Sequence, residues 1–333
     1  MNSDMLQIDK QAVTEKDAEA LLDASYLVRK PFGVPVMFVD PRDYPPKRFL
    51  GLPLPRLSMK RNIEKQLRDI ILQCDEPAQN TKPVTIEDRG YFHDPRETLG
   101  KRIMRTVRDY HYYGDEHMGL AFPLASPRLS IVFQARIANG AEAEAELALS
   151  IPQNRLPPLP GFTAQHHFLS LWHEIAHSVS GSNEAGADLT GAMVYRHAFA
   201  DSSVLVYQGD LRAANMIFQH HRPKVLETYG WSCVEAFDAV AARKTAPDRD
   251  EVIAAGYQSY SVPSLPRAGA IQTVGAALKK EFARAFLDRD LKMLSQAAAD
   301  LAGNGTFETV EEDMIARRFS LATRRLAVGK AAY

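Results

Sequence analysis

Cysteine is scarce in this chain: Cys74 and Cys233 are the only two among 333 residues. So few thiols, so far apart, build neither a disulfide framework nor a thiolate-ligated zinc site, and they fit a reducing compartment. An excess of one charge is also missing. The 40 Lys and Arg nearly match the 41 Asp and Glu, leaving a formal charge of −1. That balance argues against a protein that holds nucleic acid by bulk electrostatics. The basic run from Lys47 and Arg48 through Arg56, Lys60, Arg61, Lys65 and Arg68 reads as a solvated face. Long hydrophobic runs are absent, so no stretch approaches a membrane span and no membrane partner is expected. Met1–Ala24 is polar and mixed in charge, without the apolar centre of a leader, and the expected location is cytoplasmic. No internal repeat occurs. What the chain does have is 45% hydrophobic and 24% charged residues, the composition of a soluble globular protein able to bury a sizeable core.

The chain divides into three stretches, at 1–90, 91–200 and 201–333, which one compact unit could also contain. The first holds an amphipathic helix over about Glu15–Val28 and a strand-like run Val34–Val39. A Pro-rich loop or linker from Pro41 to Pro55 and a helix over Met59–Gln73 follow. The second begins with a helix near Arg96–His111, followed by two strand candidates. Leu129–Ile137 is rich in β-branched and aromatic residues, and Glu146–Ile151 ends at Pro152. The last stretch is Ala-rich with helical periodicity, as in Val274–Leu287, and breaks near Gly230, Ala246–Pro247, Ser261–Pro266 and Gly303–Gly305. The expected class is α+β, predominantly helical, with a small sheet and a helical C-terminal portion.

Chemistry concentrates in His173-Glu174-Ile175-Ala176-His177 and in Glu184 and Asp188 just beyond. Helix positions i and i+4 project from one face, so His173 and His177 can share one ion. The lead-in Phe162–Trp172 carries neither Gly nor Pro. It sets Phe168, Leu171, Trp172, Ile175 and Val179 on the opposite, apolar side. Gly181 reads as the helix stop and Ser182 or Asn183 as the next N-cap. Glu184 and Asp188 are again i and i+4, on a helix whose Ala185, Gly186, Ala187, Gly191 and Ala192 permit close approach. Glu184 is expected as the third ligand, leaving a fourth position open as in catalytic rather than structural zinc sites. Asp188 is expected to accept from the free ring nitrogen of a ligand histidine and fix its tautomer, although the two carboxylates could exchange roles. His166, two turns before His173, is expected to face solvent or substrate.

HExxH followed by a helix with an Asn-Glu-x-x-x-Asp pattern resembles the gluzincin branch of zinc metallopeptidases. The approach Ile151–Pro158, then HEIAH, then EAGADLTGA is similar to the metallopeptidase domain of ArdC-type antirestriction proteins and to ImmA/IrrE-like peptidases. The resemblance covers roughly residues 145–200. The segment between the two helices is shorter than is usual there. The first 140 residues show no likeness to the DNA-binding part of ArdC, so DNA binding is not carried over.

The resemblance implies a zincin-like core that holds Zn²⁺ through His173, His177 and Glu184. Peptide bonds would be hydrolysed by a metal-activated water with Glu174 as general base. The partner is then a peptide or protein substrate, and by analogy one regulatory target. An alternative is a zinc-stabilised regulatory or binding protein of a mobile element without peptidase turnover. The oxyanion of acyl transfer also needs a donor opposite the metal. His220 and His221 are the favoured candidates, with Tyr229, Tyr257, Tyr260 and Tyr110–Tyr113 as others. An extended substrate would add to a sheet edge formed by either strand candidate. Oligomeric state is not legible.

Overall fold

Helix makes up most of the described residues, and one small sheet packs against the helix that carries HExxH. The computed structural model describes residues 6, 8, 10–44, 47–49, 52–54, 61–63, 65–67, 69, 103–108, 119–125, 128–134, 140–151, 163–180, 184–258 and 267–333. In order these form α1 (Glu15–Ser25), β1 (Val36–Val39), β2 (Lys47–Phe49) and β3 (Leu52–Leu54). Helical residues within 61–69 (α2) and at 103–108 (α3) follow. Next come β4 (Gly119–Ala125), β5 (Arg128–Gln134), α4 (Gly140–Leu149), α5 (Thr163–Ser180) and α6 (Glu184–Ala198). The helical remainder is α7 (Ser203–Phe218), α8 (Pro223–Ala241), α9 (Arg249–Gln258), α10 (Ala268–Glu281), α11 (Ala283–Asp288), α12 (Leu291–Gly303) and α13 (Val310–Val328). The class is thus α+β and predominantly helical. No helix among the described residues is long and apolar enough to cross a membrane.

β5 lies at the centre of a three-stranded sheet of order β1-β5-β4, parallel to β1 and antiparallel to β4. Alternation along each strand sends residues to opposite faces. Val36 and Val132 enter the main core, whereas Met37, Val39, Ile131 and Phe133 join Ile63, Leu67, Ile103 and Val107 in a second cluster. The main core draws on residues from Leu6 to Leu326, so the three stretches share one apolar interior.

Two elements differ from expectation. Glu146–Ile151 is not a strand: Glu146–Leu149 close α4, whose Ala141, Ala145, Ala148 and Leu149 are buried at helical spacing. The Pro41–Pro55 stretch is not only a loop, since it contains a short 3₁₀ turn at Pro41–Asp43 and the antiparallel pair β2–β3. Of the expected strand Leu129–Ile137, Leu129–Gln134 lie in β5, but as the central strand, so among the described residues the sheet edges are β1 and β4; 135–137 lie outside the described residues.

α5 is held by α1, α4, α6, α9 and the sheet. Its apolar face puts Phe168, Leu171, Trp172 and Ile175 wholly in the core. Trp172 meets the rings of Phe32 and Phe168 and donates from Nε1 to Ser25 Oγ at 3.1 Å. Glu15 of α1 accepts from Ala164 N at 2.7 Å, satisfying one of the unpaired donors of the first turn. α6 crosses α5 at Gly191, where a Cβ would stand 3.1 Å from His173 N and 3.2 Å from its Cα. Gly191→Val is therefore expected to force the helices apart and lower stability by about 1–3 kcal/mol. Urea unfolding reads this, and an unchanged midpoint would disprove the close crossing.

Candidate metal centre

The i, i+4 spacing on α5 brings the two imidazoles together, with His173 Nε2 and His177 Nε2 3.1 Å apart. Glu184, the first residue of α6, adds Oε2 at 3.4 Å from His173 Nε2 and 3.8 Å from His177 Nε2. These three side chains form the metal-competent cluster found among the described residues. A triangle of those sides has a circumscribed radius of about 2.0 Å, which is the length of a zinc bond to imidazole nitrogen or carboxylate oxygen. Two facing Nε2 lone pairs at 3.1 Å repel unless a proton or a cation lies between them. The donor set and its spacing fit Zn²⁺. The side chains of His173, His177 and Glu184 are 13%, 10% and 20% exposed, so the cluster is sheltered but not sealed.

Asp188, one turn after Glu184 on α6, is buried, and its Oδ1 lies 2.8 Å from His173 Nδ1. Nδ1 thus faces Asp188 and Nε2 faces the cluster. The same oxygen lies 3.3 Å from Arg212 Nη2 of α7. Burial would raise the Asp188 carboxyl, but Arg212 and His173 outweigh it and hold it down at about 2. Burial also disfavours the His173 cation, yet the charge and contact of Asp188, with Glu184 and Glu174, hold the imidazole well above its usual value. Burial and the His173 charge push His177 down to about 4. The cluster thus favours one positive charge and rejects a second proton.

Glu174 is pushed up to about 7, chiefly by burial, with Glu184 and Asp188 adding to it and His173 and Arg212 opposing. Tyr229 of α8 belongs to the same electrostatic neighbourhood: burial first, then Glu184, raises its hydroxyl to about 12. The Arg212 guanidinium lies 5.1 Å from the centre of the Tyr229 ring. One residue on, Gly230 takes φ 55 and ψ 170 inside α8, a backbone region reserved for glycine. The buried Cys233 thiol reaches the Asp188 carboxylate and the Tyr229 carbonyl.

A second polar group lies along α5. His166 is not solvent-facing; it is 1% exposed and its Nε2 meets Glu144 Oε2 of α4 at 2.5 Å. Gln208 of α7 donates to the same oxygen at 2.8 Å. Burial of Glu144 is outweighed by the His166 contact, with Arg212 and Gln208 adding, and its carboxyl sits at about 2.

His220 and His221 are not brought to the cluster. They stand at the far end of α7, where Gly275 leaves room for the buried His220 ring against Phe286, and His221 is exposed. The charged neighbours of His220 are His221, Lys279 and Arg289, none of them a cluster residue. Tyr229, by contrast, has Glu184, Arg212, Asp188 and Glu174 as its charged neighbours. Tyr257 donates to the Phe32 carbonyl at 3.0 Å. Tyr110–Tyr113, Tyr260, Gly181–Asn183 and most of Ile151–Pro158 lie outside the described residues. Arg212, Glu144, Gln208 and Cys233 had no sequence signal, because nothing in their local pattern marks which helix they will face. No family model, curated protein or solved structure matches this chain.

Proposed function

We propose that this protein is a zinc-dependent metallopeptidase of gluzincin type. The observation that carries the reading is the triangle of His173 Nε2, His177 Nε2 and Glu184 Oε2, with one point about 2.0 Å from all three, beside a carboxyl poised near neutrality. Zinc, when bound, supplies a Lewis acid that polarises the scissile carbonyl and acidifies a water. Glu174 accepts the proton of the attacking water and delivers it to the departing amine. Tyr229, with its hydroxyl protonated over the working pH range, donates to the developing oxyanion. Asp188 fixes the ring of His173 through Nδ1. The β4 edge, on the strand that packs along α5, offers backbone groups to an extended peptide.

Elemental analysis of the wild type and Glu184→Ala, purified side by side, tests this. The expected result is about one zinc per wild-type chain and clear loss in the variant. A zinc-free wild type would overturn the reading. Zinc present without cleavage of any member of a random peptide library would leave a zinc-stabilised binding protein in its place.

A further inference from the structure

Arg212 is the cation on which the two polar groups of α5 converge. It comes from α7, which supplies no expected ligand. Its Nη2 shares Asp188 Oδ1 with His173 Nδ1, at 3.3 and 2.8 Å. Its guanidinium carbon lies over the Tyr229 ring, 5.1 Å from the ring centre. Its charge also bears on Glu144, the carboxylate that meets His166. Its side chain is 18% exposed and Asp188 1%, so water competes little for either contact. A planar guanidinium offers donors at its edge and a stacking face at once, which a lysine ammonium cannot.

We propose that Arg212 is a positioning residue of the metal centre. Its edge orients the Asp188 carboxylate, which orients His173, and its face sets the Tyr229 ring. The proposal rests on the reading that the cluster binds zinc. It adds that the geometry of that cluster is set from α7, through one oxygen atom of Asp188, and not by α5 and α6 alone.

Zinc affinity, measured on the full chain by competition with a chromophoric chelator, tests this without reference to turnover. Arg212→Lys keeps the charge and so the fold; its far-UV circular dichroism and metal-free melting temperature should match the wild type. Its zinc affinity is expected to fall about 10-fold, within the range seen when a group supporting a ligand is lost. The cobalt-loaded variant should show a shifted ligand-field spectrum. Because the effect passes through Asp188, Asp188→Asn and Asp188→Asn/Arg212→Met should bind zinc with affinities within about twofold of each other. That pair removes both charges together, so it reports even where a variant of Arg212 alone fails to fold. Wild-type affinity in Arg212→Lys, or losses that simply add across the pair, would overturn the positioning role while leaving the zinc site intact. A wild type that binds no zinc would instead remove the reading on which the role depends.

Discussion

Glu174→Gln is expected to lower peptide hydrolysis by about 10²–10⁴-fold while zinc content and melting temperature stay at wild-type values. The amide has nearly the shape of the carboxyl but cannot accept a proton, so it removes the chemistry and leaves the packing. Glu174 is not among the three cluster ligands, which is why the metal should remain. The wild type should also show an acid limb in kcat/KM, because only ionised Glu174 accepts the proton. In the metal-free site burial and the Glu184 and Asp188 charges put that ionisation at about 7. A cation at the cluster favours the carboxylate and moves the limb below pH 7. Glu174→Gln with wild-type turnover would remove the residue from the mechanism.

The largest expected effect on stability lies elsewhere, at Arg318. This α13 side chain donates from Nη1 to Asp210 at 2.6 Å and from Nε and Nη2 to Asp238 at 2.7 and 2.8 Å. Asp210 is fully buried, and its other oxygen accepts from the Tyr333 hydroxyl at 2.8 Å. Arg318→Met leaves that carboxylate without its closest counter-charge, a change that typically costs about 3–5 kcal/mol. A fall in melting temperature on the order of 10 °C follows for a chain of this size. Burial already holds the Asp210 carboxyl above its ordinary value despite Arg318, and losing the arginine raises it further. A carboxyl raised in the folded state binds protons that the unfolded chain gives up, so stability falls as pH rises between the two values. The deficit of Arg318→Met should accordingly be larger at pH 7 than at pH 5. Adding Asp210→Asn should recover part of it. No recovery would mean that the Arg318 contacts matter for packing rather than for charge.

The part of the site that could be read from the sequence is the part that is local. His173, His177, Glu184 and Asp188 lie within sixteen residues of one another, and helical spacing alone aligns each pair. The apolar face of α5 was equally legible, because Phe168, Leu171, Trp172 and Ile175 repeat at the helical period and are buried as that period requires. Glu146–Ile151 misled because a short alternation of Leu and Ala fits a strand and a helix equally well. Tertiary burial of Ala145, Ala148 and Leu149 decided for the helix. His220 misled for a different reason. A histidine pair downstream suggests a cleft, but the missing side chain of Gly275 made a recess that drew the ring into the core. Arg212 and Glu144 were silent and Tyr229 was only one candidate among several, since each comes from another helix by a contact that no short-range pattern encodes.

That division has a consequence for the order in which the protein becomes competent. The ligand set closes a loop of only a few residues between α5 and α6, so the entropy lost in bringing its atoms together is small. The oxyanion donor proposed at Tyr229 and the Arg212 that positions it arrive from α8 and α7 and require distant contacts to form first. A nascent or partly unfolded chain that has made little more than the α5–α6 hairpin should therefore already capture its ion and remain inert. Hydrolysis would begin only after α7 and α8 have docked, which keeps an unfinished chain from cutting the other unfolded polypeptides around it.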